Sequence, residues 1–173
     1  MALDYEYLAV SLSNLSGIPV RLYRDGVFQK VYYANKFTPD LAILEEQHIF
    51  AAKETVSYYL TEQLLLFGLF RVEREPVSFI VGPVTQMHLS RARVRDLLRS
   101  IGEPLDRDTE LLNYLQAIPT YPLRNFLQIL CSFDYFINGR KRSVAEFLLQ
   151  EHAPGPLAIE PPPPAHRRRQ LRT

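Results

Sequence analysis

A chain of 173 residues, 47% hydrophobic and 23% charged, has the length of one domain and enough apolar material for a packed core, which excludes wholesale disorder. Its 20 Lys+Arg against 19 Asp+Glu leave a formal charge of +1, too little for a whole-domain electrostatic grip on nucleic acid or anionic lipid. One cysteine, Cys131, excludes an internal disulfide and a multi-cysteine zinc site, and suits a reducing compartment.

The opening residues MALDYEYLAV do not read as a signal peptide, and no apolar run approaches the ~20 residues that cross a bilayer, so a soluble, cytoplasmic protein is expected. Leu8, Leu12 and Leu15 fall on one helical face, and Gly17 and Pro19 stop that helix. Residues 19–23 and 27–33 are rich in β-branched and aromatic side chains and flank Asp25-Gly26, which predicts a hairpin. Pro39 opens a brief helix over 39–47. Three more strands are predicted at 55–60, 64–72 and 77–81, joined by short polar turns that favour antiparallel neighbours.

Beyond Gln86 the period turns helical. Ser90 caps a helix carrying Val94, Leu97, Leu98 and Ile101, and Asp106 or Asp108 caps a second that points Leu111, Leu112, Leu115 and Ile118 inward and stops at Pro119. A longer helix runs from Pro122 through Leu123, Phe126, Leu127, Leu130, Phe133, Phe136 and Ile137 to Asn138-Gly139. Ser143 and Glu146 then form an S-x-x-E capping box. After His152 the composition shifts to proline and arginine. Residues 154–173 hold six of the thirteen prolines, and Arg167, Arg168, Arg169 and Arg172 stand against Glu160, so this reads as a basic tail beside a slightly acidic body.

Motifs of chemistry are missing. There is no phosphate-binding glycine loop, no metal-ligand spacing around His48, His88, His152 or His166, and no nucleophile elbow near Ser78 or Thr85. Glu45 and Glu46 are neighbours that point apart, and the arginines from Arg91 to Arg107 are interleaved with Asp96, Glu103 and Asp106. Neither an enzyme nor a cofactor or metal site is expected, and Cys131 reads as a buried small hydrophobe.

The informative stretch is residues 57–86. Along 64–72 both strand faces are apolar, Leu64, Leu66, Phe70 and Val72 on one and Leu65, Phe67 and Leu69 on the other, so both need cover. That pattern predicts helices on one face and a partner subunit or ligand-filled cavity on the other. Gly68 in mid-strand marks a bulge or a close approach. Tyr58, Phe67, Phe70, Phe79 and Gln86 are the candidate pocket residues: the aromatics shape a cavity and Gln86 offers a directional hydrogen bond.

LSNLSGIPVRLY at 12–23, YYLTEQLLLFGLFRV with SFIVGPVTQ across 58–86, and LRNFLQILCSFDYFING at 123–139 resemble the amino-terminal sensor regions of AraC-type bacterial transcription regulators. The resemblance covers residues 5–150. It implies an α+β fold with a five-stranded antiparallel PAS/GAF-like sheet, flanking helices and a C-terminal helical extension. It also implies a small-molecule effector in the sheet cavity, and a homodimer through the C-terminal helices. The expected division is a sensor sheet domain over 1–87, a helical dimerisation and signalling extension over 88–152, and the tail over 153–173. In the family the chain continues into paired helix-turn-helix units, whereas this sequence runs into its Pro/Arg tail, so DNA contact is expected only through a region outside it. The function implied is ligand sensing and dimerisation in a regulator; the alternative is a ligand-free scaffold or dimerisation domain.

Overall fold

The structure, a computed structural model, describes residues 3–33, 41–62, 64–88, 90–100, 113 and 116–149. Helix α1 (Tyr5–Ser16) leads into strands β1 (Val20–Arg24) and β2 (Val27–Tyr32), then helix α2 (Ala42–Phe50). Strands β3 (Val56–Leu60), β4 (Leu65–Arg71) and β5 (Val77–Thr85) follow, and then helices α3 (Arg91–Ser100), α4 (Leu123–Asn138) and α5 (Val144–Leu149). The five strands form one antiparallel sheet in the order β2-β1-β5-β4-β3, an α+β architecture with helices on both faces.

Local chemistry accounts for most boundaries. The Asp4 carboxylate accepts the Tyr7 N–H at 3.0 Å and starts α1, while Gly17, in the left-handed region at φ 71°, ends it by donating to Ser13 O. Asp25 and Gly26 both take positive φ in the two-residue β1–β2 turn. On β2 the register slips so that Tyr23 faces Phe28 and Leu22 faces Lys30, leaving Gln29 as an extra residue whose amide closes on Val27 O at 3.0 Å. The Arg71 guanidinium donates to Phe50 O and Glu54 O, binding the carbonyl end of α2 to the sheet.

The face that α1 buries differs from the Leu8–Leu12–Leu15 stripe expected. Tyr5, Ala9, Leu12 and Ser13 are buried, and Leu15 is 89% exposed. Small Ala9 and Ser13 let the helix lie close on the strands, with the Ser13 hydroxyl donating to Tyr32 O at 3.1 Å. Leu15 lies outside that contact. Helix α2 runs three residues further than expected, to Phe50; the predicted start at Pro39 lies outside the described residues, as do most of the helix predicted before Pro119 and the whole tail.

Both faces of β4 are covered, and the chain supplies the cover itself. On one face Leu66 and Phe70 join Val20, Leu22, Phe79 and Val81 beneath α1 and α4, through Leu12, Phe126, Leu127 and Leu130. On the other, Leu65, Phe67 and Leu69 join Tyr23 and Ile80 beneath Ala42 and Ile49 of α2, together with Val94 and Ile118. Where a partner subunit or ligand-filled cavity is expected on the second face, α2 and α3 pack against the strand. Gly68 shows the close approach expected of it, since Leu130 of α4 presses on the gap. The neighbouring β4–β5 register shift puts its extra residue on β5, between Val81 and Val84, and not at Gly68.

Candidate interaction surface

The five residues expected to line a pocket do not come together. Phe70 and Phe79 are partners across the β4–β5 ladder, buried beneath α4, and Tyr58 on β3 lies on the same side with its ring edge-on to Phe147 of α5, centroids 6.4 Å apart. Burial raises the Tyr58 phenol above its ordinary value of 10.0. Phe67 points to the opposite face, among Tyr23, Leu69 and Ile80. Gln86, beyond the end of β5, is exposed.

Concave surface lies instead on the outer side of α4. Its inner stripe, Phe126, Leu127, Leu130, Cys131, Asp134 and Ile137, is buried, whereas Tyr135 and Phe136 are exposed, Phe136 to 65%. Tyr135 and Phe136 extend the apolar surface of α4 past the stripe that one sheet can cover. Between α1 and α4 runs an open groove of about 260 Å³, walled by Leu12, Leu15, Tyr121, Ile129 and Phe133. The Tyr121 hydroxyl closes one end by donating to Ser16 O. A second groove of about 250 Å³ follows the other flank of α4, lined by Cys131, Tyr135, Phe136, Lys141 and Arg142. Gln128 and Ser132 belong to both grooves, so they form the low ridge that separates them, and Ser132 folds its hydroxyl back onto Gln128 O at 2.9 Å. None of the five expected residues lines either groove.

The ionisable groups here are structural in character. Burial pushes the Cys131 thiol above its ordinary value and Glu146 adds to the effect, while Arg142 opposes it, so the thiol stays protonated and a poor nucleophile at neutral pH. Asp134, fully buried, holds Arg142 through Nε–H···Oδ2 at 2.5 Å and accepts from Asn138 at 2.8 Å. Sequence reasoning missed this cluster, although a signal was present. Asp134 stands on the stripe of Leu127, Leu130 and Ile137, and an acid on an apolar stripe requires a buried partner.

On the opposite face, the buried polar residues include Arg21 and Ser57, 2% and 7% exposed. The Arg21 guanidinium lies 4.3 Å from the centre of the Phe28 ring and 5.7 Å from that of Tyr23. Among the described residues there is no group of three or more His, Cys, Asp or Glu able to hold a metal ion, and no helix long and apolar enough to cross a membrane. No protein-family model, curated protein or solved structure matches the chain.

Proposed function

We propose that this chain is a pairing module of a regulatory protein, associating with a second copy through the outer faces of α1 and α4. One observation carries the reading. The apolar side chains of Leu15 and Phe136 stay 89% and 65% exposed, beside two grooves that share the low Gln128–Ser132 ridge. A ridge flanked by grooves is self-complementary: the ridge of one copy fits a groove of the other about a two-fold axis. A few large side chains at the centre of such a patch contribute most of the association energy. Sedimentation of the full chain at micromolar concentration tests this. A dimer is expected, with Phe136→Asp and Leu15→Asp monomeric at nearly unchanged melting temperature; a monomeric wild type refutes the pairing.

The sensor reading is the second, supported by the resemblance to AraC-type sensor regions and by the five-stranded antiparallel sheet with helices on both faces, which a PAS/GAF-like sensor would require. Its favouring observation is the α2 side of the sheet, where Arg21, Tyr23 and Ser57 set polar groups among apolar walls, as a small-molecule effector needs for orientation. Such an effector would act by its difference in affinity for two arrangements of the helices. A thermal-shift screen against sugars, amino acids, organic acids and nucleotides tests it. A raised midpoint for one class supports sensing, and no response to any class leaves the ligand-free pairing domain.

A further inference from the structure

Between the end of α4 and the start of α5 the chain is Gly139-Arg140-Lys141-Arg142-Ser143, with no apolar side chain to anchor it. Polar contacts hold it instead. Gly139, left-handed at φ 70°, turns the chain out of α4. Arg140 Nη2 meets Glu73 Oε1 at 2.6 Å, and Arg142 reaches back to buried Asp134. Asn138 ties that site to the β4–β5 turn: its Nδ2 donates to Arg71 O and Asp134 Oδ1, and its Oδ1 accepts the Glu73 N–H. The Ser143 N–H donates to Glu146 Oε1 at the head of α5, and Phe147, 1% exposed, sets its ring on Tyr58.

We propose that residues 139–149 are a strap, latched by Arg142 on Asp134, that opens as a unit and uncovers Cys131 together with the Tyr58 surface of the sheet. The inference goes beyond the pairing reading and does not depend on it. A purely apolar strap could slide by degrees. Here, drawing Arg142 away leaves a buried carboxylate with only Asn138, so partly lifted positions are disfavoured and the strap is either latched or off. Arg142 and Lys141 border the groove that Cys131 lines, which places the strap beside that thiol.

Cys131 is the chain's one cysteine, so thiol labelling reads the opening directly. The full chain is labelled with a fluorescent maleimide at neutral pH and at nanomolar concentration, where pairing does not shield the groove. Arg142→Met keeps the stem and removes the guanidinium, and it is expected to speed labelling by about tenfold or more. Amide exchange should accelerate together over 141–149 and stay unchanged in β4 and β5. Should Arg142→Met fail to fold, the wild type decides the matter through urea. Labelling with a much weaker urea dependence than global unfolding supports the strap. Labelling that tracks global unfolding, or a variant whose labelling is unchanged or rises only with its loss of global stability, overturns it.

Discussion

Leu130 of α4 occupies the space that a side chain at Gly68 of β4 would need: a Cβ at Gly68 would stand 2.4 Å from Leu130 Cδ2. The Leu130 side chain rests directly on the β4 backbone there. Gly68→Ala therefore forces Leu130 out of place and is expected to cost about 1–3 kcal/mol, the range for overpacking. Leu130→Ala alone leaves a cavity and costs about 2–5 kcal/mol. The double variant should lose less than the sum, because each change relieves the defect of the other. Urea unfolding of the four proteins measures the coupling.

The outer and inner faces of α1 separate cleanly by mutation. Leu12→Ala, at a site 3% exposed, is expected to destabilise by about 2–5 kcal/mol. Leu15→Ala should move monomer stability by no more than about 0.5 kcal/mol while weakening self-association. Thermal melts at low concentration, set beside sedimentation at high concentration, distinguish the two effects.

Two glycines with positive φ differ in what surrounds them. Nothing lies within 4 Å of a Cβ built on Gly139, so Gly139→Ala bears only the left-handed conformational penalty, about 1–2 kcal/mol. At Gly82, φ 132°, a Cβ would meet Leu66 O at 2.7 Å and Phe67 Cδ1 at 2.9 Å. Gly82→Ala is expected to be the more destabilising of the pair in urea titrations, because backbone cannot step aside as a side-chain tip can.

Tyr5, Tyr32, Tyr58 and Tyr59 are all raised above 10.0, in each case chiefly by burial; Glu75 adds to the effect at Tyr5, Glu6 at Tyr32 and Glu45 at Tyr59. The folded chain thus holds these phenol protons more tightly than the unfolded chain. Their stabilising contribution is fully present below pH 10 and is lost as pH rises through the folded values. Denaturant midpoints followed upward from pH 9 should fall across that window, and phenolate absorbance should show a group of tyrosines ionising later than the rest.

Much of the fold was legible because its signals are local. Asp25-Gly26 between two β-rich runs specified the hairpin, Pro122 and Gly139 bracketed α4, and Ser143 with Glu146 marked the head of α5. The two apolar faces of β4 were equally plain, but what covers them is a tertiary choice. Apolar surface on a strand says that something packs there and not whether that is α2, a second subunit or a guest molecule. The candidate aromatics divided between the two faces for the same reason: Phe67 and Phe70 are three apart on a strand with period two. On α1, leucine content pointed to the wrong stripe, because close approach over the sheet selected the small residues Ala9 and Ser13. The Asp134–Asn138–Arg142 cluster was hidden by its spacing, which crosses the end of a helix, and by the dependence of Asn138 on backbone groups of a distant turn.

The extra residue at Gln29 hinders growth of the sheet at its β2 edge. A smooth outer strand offers its spare amides and carbonyls to any extended peptide, and sheets lengthen or stack into fibrils by that route. Here the outer strand is crimped, Gln29 folds onto a carbonyl of its own strand, and Lys30 sets a charge beside it. With the β2 border closed to recruitment, the pairing proposed above through α1 and α4 meets no competition from that edge, and a two-fold contact would terminate after one partner instead of propagating.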